Sequence, residues 1–137
     1  MIYLNAYLNF MGLGGEAMKF YQSVFGGDLV AQTYGESGQS KNDEEKDFLM
    51  HAELKTKHFT FYASDGNKEH PVTFGNSVNL CIGGDDEEEL TKYFNALSEG
   101  GNVDMSLAKQ FWGDTYGMLT DKYGVHWMVN IDSGTHK

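Results

Sequence analysis

The sequence is short of cysteine, proline and basic side chains. Its 137 residues include one cysteine, one proline and 10 Lys and Arg against 20 Asp and Glu, so the formal net charge is −10. A single cysteine cannot form an intrachain disulfide, which favours a reducing compartment. The negative charge repels nucleic acid and anionic membrane surfaces at long range. We therefore expect neither nucleic acid nor a membrane as a partner.

Long apolar runs are also absent. No segment approaches the roughly 18 apolar residues of a membrane span, and the first residues lack the basic region and apolar stretch of a secretory signal. These absences predict a cytoplasmic protein. Cys81 lies in the apolar run of Val78, Leu80 and Ile82. It is therefore interpreted as a small packing residue rather than as a nucleophile.

The short motifs of several enzyme classes are missing too. The sequence has no Gly-x-x-x-x-Gly-Lys loop, no Gly-x-Gly-x-x-Gly after a strand, no His-Glu-x-x-His and no serine nucleophile elbow. Nucleotide-driven and serine-hydrolase chemistry therefore have no support. A hydrophobic fraction of 40% and 17 glycines instead indicate a core with many tight turns. The length fits one domain, or two small units that share a core.

The chain contains an internal repeat. Residues 2–10 alternate apolar and polar side chains, which predicts a strand with Asn5, Tyr7 and Asn9 on one face, and residues 16–25 have helical spacing before Gly26 and Gly27. The second half repeats this order with a strand at 77–82, a helix after the acidic run 85–89, and a Gly-Gly pair at 100–101. The acidic run is interpreted as a solvated helix start rather than a cation site.

Three extended stretches follow each predicted helix, at 29–34, 48–54 and 58–62, and then at 103–107, 116–120 and 125–131. The polar stretch 35–47 has no periodicity and is expected to be an irregular loop, either a plain connection or a lid. The two halves align at similar offsets: Asn9 with Asn79, Phe20 with Tyr93, Gly27 with Gly101 and His58 with His126. We predict an α+β fold of two βαβββ modules, about residues 1–66 and 75–137, in one domain.

This arrangement resembles the vicinal-oxygen-chelate superfamily, which includes glyoxalases, fosfomycin and bleomycin resistance proteins and extradiol dioxygenases. Local strings look like its PhnB-like branch, among them Tyr-Leu-Asn-Phe at 7–10, Met-His-Ala-Glu-Leu at 50–54, Phe-Trp-Gly-Asp at 111–114 and Asp-Lys-Tyr-Gly-Val-His-Trp at 121–127. The resemblance implies a curled mixed sheet around a small-molecule cleft, with a metal near the inward side chains. It also implies a homodimer that can exchange modules between chains.

The family's metal-ligand positions fall here on Asn5, Thr60, Ser77 (or Gly75) and Met128. A catalytic divalent ion needs about three His, Glu, Asp or Cys donors, and a thioether suits Cu(I) rather than Mn, Fe, Ni or Zn. We therefore expect no metal and no other cofactor. Methyltransferase names accompany some PhnB-like sequences, but no Gly-rich strand-to-helix motif for adenosylmethionine is present.

Several polar residues could still do chemistry. His51 and Glu53 share one face of a strand, opposite Met50, Ala52 and Leu54, and could act as a general acid or base or form an exposed polar pair. His126 shares a face with Met128 and Asn130, opposite Trp127. A structural role is the alternative for His126 and for its repeat partner His58.

Tyr7, Trp112 and Tyr116 could stack against a flat ligand, or Trp112 and Tyr116 could fill the core. The first functional hypothesis is a small-molecule-binding protein that uses no metal and whose ligand contacts Asn5, Tyr7, Asn9, Thr60, Ser77, Trp112, Tyr116 and Met128. The alternative is a lyase, isomerase or transferase that uses a displaced site with His51, Glu53 and His126. A homodimeric interaction module is a third reading.

Overall fold

A computed structural model describes residues 1–38 and 43–133. The α+β prediction is confirmed: the chain divides into two compact units, Met1–Thr73 and Phe74–Lys137, and each contains a four-stranded mixed sheet and a helix of 12 residues. That the two units form one domain stays a prediction. Within the described ranges, no helix combines the length and apolar character needed to cross a bilayer.

The first unit has the strand order β1-β4-β3-β2, in which β1 runs parallel to β4 and the other pairs are antiparallel. Its elements are β1 (Tyr7–Phe10), α1 (Gly14–Phe25), β2 (Asp28–Thr33), α2 (Tyr34–Ser37), β3 (Leu49–Lys55) and β4 (Thr60–Asp65). The helix α1 buries Ala17, Met18 and Tyr21 against the sheet, and the Tyr21 and Phe61 rings meet edge to face.

The second unit repeats this topology with the order β5-β8-β7-β6, and β5 is parallel to β8. Its elements are β5 (Leu80–Gly84), α3 (Glu87–Ser98), β6 (Asn102–Lys109), β7 (Thr115–Thr120) and β8 (His126–Ile131). Leu97, Leu119 and Val129 are almost completely buried. In each unit one sheet face therefore carries the core, and alternate strand residues lie on the opposite, open face. The outer strands β2 and β6 are exposed along most of their length.

The acidic run before α3 acts as the predicted helix start. Asp86 is the N-cap residue, and its Oδ1 accepts a hydrogen bond of 3.0 Å from the backbone N–H of Glu89. Glu87, Glu88 and Glu89 occupy the first turn, where the helix dipole stabilises negative charge. These carboxylates are thus accounted for by helix capping.

Tyr93 should make stability sensitive to high pH. Its hydroxyl donates a 2.5 Å hydrogen bond to Glu89 Oε1, and burial first, then Glu89, raise the pKa of Tyr93 from 10.0 to about 12. The folded state therefore holds this proton more tightly than the unfolded state, so stability is complete below pH 10 and is lost between pH 10 and 12. Tyr93→Phe should remove this part of the loss, about 1 kcal/mol between pH 8 and pH 11, as measured by urea unfolding at the two pH values. An identical decline in both proteins would contradict this.

Three sequence predictions about element bounds are wrong. The first strand is shorter than residues 2–10, and Ile2 and Leu4 are both 99% exposed because no neighbouring strand pairs with them. Ser77 precedes β5 and is exposed, since β5 begins at Leu80. The stretch 35–47 is not wholly irregular: Thr33 caps α2 through a capping box. Residues 39–42 lie outside the described residues, and the lid hypothesis is not tested.

The alternation of residues 50–54 predicts that Met50, like Ala52 and Leu54, packs in the core, and for Met50 this prediction is wrong. The pairing of β2 with β3 shifts between Gln32 and Thr33, where one extra residue of β3 forms a bulge. Leu49 is consequently the buried residue, at 1% exposure, and Met50 is half-buried. The rest of the predicted alternation holds, with Ala52 and Leu54 buried.

The repeat is present, but two of the predicted pairs are wrong. Equivalent ladder positions match Tyr7 with Cys81 and Tyr62 with Met128. Asn9 therefore corresponds to Gly83 rather than Asn79, and His126 corresponds to Thr60 rather than His58, which lies in the turn before β4. The offset falls from 74 at Gly27 and Gly101 to 66 at Tyr62 and Met128 because the first unit carries the additional segment with α2.

Candidate functional site

The open face of the first unit carries an aromatic patch, defined here by Tyr7, His51, Glu53 and Tyr62. The register pairs Tyr7 with Tyr62 and Tyr62 with Glu53, so these side chains form one row across β1, β4 and β3. The ring centroids of Tyr7 and Tyr62 are 6.0 Å apart and those of His51 and Tyr62 are 5.8 Å apart, with nearly stacked planes in both pairs. The hydroxyl of Tyr7 lies 3.3 Å from Nδ1 of His51.

Tyr62 is the centre of this patch. Burial raises the pKa of its phenol above the usual value, and the neighbouring Tyr3 and Glu53 raise that pKa further. The hydroxyl thus stays protonated and remains a hydrogen-bond donor beside the Glu53 carboxylate. The predicted shared face of His51 and Glu53 is present, opposite buried Ala52 and Leu54.

The amide residues of the first strand lie next to β4. Nδ2 of Asn5 donates a 2.7 Å hydrogen bond to the backbone oxygen of Thr60, and the hydroxyl of Ser64 donates to Oδ1 of Asn9 at 3.2 Å. The structure therefore brings Asn5 together with Thr60, and Asn9 together with Ser64. Both pairs flank the aromatic patch on the polar side of the sheet.

The open face of the second unit carries a sulfur row, defined here by Cys81, Met128 and Met118. Cys81 pairs with Met128, and Met128 pairs with Met118, in one line across β5, β8 and β7. The prediction that Cys81 packs in the core is wrong because its side chain is exposed on this face, while Leu80 and Ile82 point to the other side. Partial burial raises the pKa of the thiol.

Trp112 and Tyr116 also lie together in the second unit, with ring centroids 6.1 Å apart. Trp112 is 45% exposed, so it does not fill the core. Burial raises the pKa of Tyr116, with a smaller contribution from Cys81. Tyr7, the third residue of the predicted aromatic group, belongs to the first unit and stacks there on Tyr62.

His126 ends a short chain of hydrogen bonds. Thr120 donates its only hydroxyl proton in a 2.8 Å hydrogen bond to Oδ2 of Asp104. Because no second proton is left on this hydroxyl, Thr120 Oγ1 accepts the 2.9 Å hydrogen bond from Nδ1–H of His126. A neutral ring held in this tautomer has an unprotonated Nε2 that can accept a proton. Trp127 lies on the opposite face as predicted, and its indole N–H donates to Asp121 at 2.8 Å.

The donors at the expected metal positions do not fit a catalytic divalent ion. The Asn5 amide is engaged with Thr60, Ser77 lies before its strand, and Met128 offers only a thioether. Within residues 1–38 and 43–133, no three His, Cys, Asp or Glu side chains come together in a way that could hold a metal ion.

Sequence reasoning missed four residues of these faces: Tyr62, Cys81, Thr120 and Met118. The signal for Tyr62 and Met118 was available, because they alternate with buried Phe61 and Ala63 and with buried Leu119. The sequence could not show that Cys81 lies beside Met128, or that Thr120 and Asp104 are partners of His126, since strand register decides which residues of different strands meet.

Solved structures of other proteins share this fold. A glyoxalase/bleomycin resistance protein from Albidiferax ferrireducens T118 superposes with a TM-score of 0.64 at 17% identity, over 96% of this chain and 100% of that chain. Protein PA1353 from Pseudomonas aeruginosa is 37% identical with a TM-score of 0.87, over 96% and 98% of the two chains. A Bacillus cereus PhnB protein, described as a 3-demethylubiquinone-9 3-methyltransferase, is 29% identical with a TM-score of 0.78, over 96% and 100%.

Two βαβββ units with these neighbours define a protein of the glyoxalase/bleomycin-resistance fold class, and the predicted vicinal-oxygen-chelate resemblance is confirmed. Residues 4–130 match the family described as 3-demethylubiquinone-9 3-methyltransferase. The chain belongs to this family, and the predicted PhnB-like branch of the superfamily is confirmed. The family description names an activity, but fold and family do not establish it for this chain.

Proposed function

We propose that this protein binds a small organic molecule without a divalent metal. The observation that carries the proposal is the aromatic patch of the first unit, where the rings of Tyr7, Tyr62 and His51 lie next to one another on the face that α1 does not cover. Tyr7 is 47% exposed. Large aromatic side chains in an uncovered, hydrogen-bonded cluster supply contact area at little entropic cost, as ligand sites require.

The patch suits a flat ligand with polar groups at its edge. The tyrosine rings offer π-faces, while the hydroxyl of Tyr7, the imidazole of His51 and the carboxylate of Glu53 can accept or donate hydrogen bonds. Asn5, Asn9 and Thr60, which flank the patch in the first unit, belong to the proposed site. Ser77, Trp112, Tyr116 and Met128, which the sequence also predicts to contact a ligand, lie in the second unit and stay predictions.

The first experiment identifies the ligand. Freshly purified protein is denatured and its small molecules are analysed by mass spectrometry, and a library of flat polar compounds is screened by thermal shift. Tyr62→Ala should weaken binding of the resulting compound about tenfold, because it removes the aromatic surface at the centre of the patch on which a flat ligand would stack, worth about 0.5–1.5 kcal/mol. Tyr34→Ala, on α2, is the matched control and should leave affinity unchanged.

Two results would contradict the binding proposal. One is that no compound binds in a manner sensitive to Tyr62→Ala. The other is that EDTA treatment abolishes binding of a compound and added divalent ion restores it. Calorimetry on chelator-treated wild-type protein and on both variants separates these outcomes.

An enzyme of the lyase, isomerase or transferase type is the second candidate, and the hydrogen-bond chain of His126 favours it. Asp104 and Thr120 fix the ring so that Nε2 is the proton-accepting nitrogen. Such a nitrogen can act as a general base, and His51 and Glu53 of the first unit stay candidates for the same role. If the retained compound is converted, His126→Gln should slow conversion about 100-fold with little change in binding. Equal rates in wild type and variant would remove His126 from the reaction.

We further propose that the protein is a homodimer and is located in the cytoplasm. Ile2 and Leu4 at the N-terminus and Phe111 in the second unit are 97–99% exposed, and such apolar side chains are commonly covered by a second copy. Light scattering after size-exclusion chromatography measures the mass directly. Cell fractionation tests the location.

A further inference from the structure

We propose that Cys81, Met128 and Met118 form a binding site for a soft monovalent metal ion, Cu(I). The site lies on the open face of the second unit and is independent of the ligand-binding proposal, which rests on the aromatic patch of the first unit. The inference rests on three sulfur side chains that strand register places side by side.

The spacing of the sulfur row suits one ion. Directly paired residues on neighbouring strands have Cβ atoms about 4.5–5.5 Å apart on the same face, and strands lie about 4.8 Å apart. Two metal–sulfur bonds of about 2.3 Å span about this distance. An ion above Met128 can therefore reach the Cys81 thiol on one side and the Met118 thioether on the other. Met105 pairs with Met118 in the same line, next to a bulge.

The donor chemistry selects the metal. Cysteine thiolate binds both Zn and Cu(I), but two of the three donors here are thioethers, which are soft ligands that suit Cu(I) rather than Zn or Mn. Cys81 is exposed, and Met105 is 44% exposed, so an ion can enter from solvent. Binding forms a sulfur–copper bond, breaks the S–H bond and releases one proton to solvent, and no change of oxidation state is needed.

A methionine-lined face could instead serve only as an adaptable apolar contact surface. The Cys81 thiol distinguishes a metal site from an apolar contact surface, because an apolar contact does not require an ionisable sulfur. The site should therefore depend most on Cys81. Replacing Cys81 should leave the fold intact, since its side chain is exposed on the open face of the sheet.

The test is a Cu(I) titration of the whole protein under argon, with bicinchoninate as the competing chelator. Wild-type protein should withdraw one equivalent of Cu(I) from the chelator and release one proton to solvent. Cys81→Ser should lower Cu(I) affinity about 100-fold or more, and Met118→Leu and Met128→Leu about tenfold each. Met11→Leu, an exposed methionine of the first unit, is the control and should bind as wild type does.

Alkylation gives a second measurement on unmutated protein. Cys81 is the only cysteine, so iodoacetamide modifies one site, and the modified protein should lose Cu(I) binding while keeping its circular dichroism spectrum. Bound Cu(I) should in turn slow alkylation. The proposal is overturned if wild-type protein fails to compete with the chelator, or if Cys81→Ser or the alkylated protein binds Cu(I) within twofold of wild type.

Discussion

Replacing Asp65 with alanine is expected to lower the free energy of unfolding by about 4 kcal/mol. Asp65 is 2% exposed, and its carboxylate accepts backbone hydrogen bonds from Gly12 and Gly14 at 2.7 and 3.0 Å and from Leu49 at 2.7 Å. Hydrogen bonds to a charged acceptor contribute about 1.5–3 kcal/mol each, although not additively. The loss is a large part of the 5–15 kcal/mol that typically stabilises a domain.

The same carboxylate explains how α1 begins. Its N-cap residue is Leu13, which makes no side-chain capping bond, so Asp65 supplies the missing acceptor from the end of β4. Urea unfolding measures the effect as a lower midpoint with an unchanged slope. Asp65→Asn keeps one oxygen and should lose about half as much, and Asp28→Asn, at an exposed aspartate, should change little. A loss below 1 kcal/mol in Asp65→Ala would contradict this role.

Gly27→Ala is expected to destabilise the protein by about 3 kcal/mol or more. Gly27 has a φ of +96°, and a Cβ atom there would lie 2.2 Å from the backbone oxygen of Lys55. Because Lys55 pairs with Asp28 in the ladder of β2 and β3, neither backbone can retreat without breaking that pairing. The variant should therefore unfold at lower urea concentration, or fail to fold at all.

Gly26 provides a matched control for this prediction. It also has a positive φ, +73°, but a Cβ atom there would meet nothing within 4 Å. Gly26→Ala should cost only the strain of its backbone conformation, which essentially only glycine adopts at φ +73° and ψ −164°; this is about 1–3 kcal/mol and less than the cost of Gly27→Ala. If both variants were equally destabilised, backbone conformation alone would matter. The contact with Lys55 would then have no measurable effect.

The predicted elements agree with the structure where periodicity is strong. The helical spacing of residues 16–25 and the alternation of residues 125–131 predicted α1 and β8 almost to their bounds. The predicted bounds are wrong where a segment has no neighbouring strand to pair with. The alternation of residues 2–10 continues through Ile2 and Leu4, but the ladder with β4 starts at Tyr7.

The candidate site was only partly predictable for the same reason. The face shared by His51 and Glu53 follows from alternation within one strand, and so does the orientation of His126 opposite Trp127. The stacking of Tyr62 between Tyr7 and His51 depends on which residues of β1, β3 and β4 pair. The interpretation of Cys81 failed because an apolar neighbourhood in sequence does not say which side of a strand faces the helix.

By itself the sequence determined the α+β class, the two βαβββ units and the helix ends at Gly-Gly pairs. These depend on local periodicity and on residue type. Only the tertiary structure decided that Asp65 caps α1, that Gly27 rather than Gly26 meets Lys55, and that Cys81 joins Met128 and Met118. Contacts between strands depend on register, and a shift of one residue would turn each of these side chains to the other face.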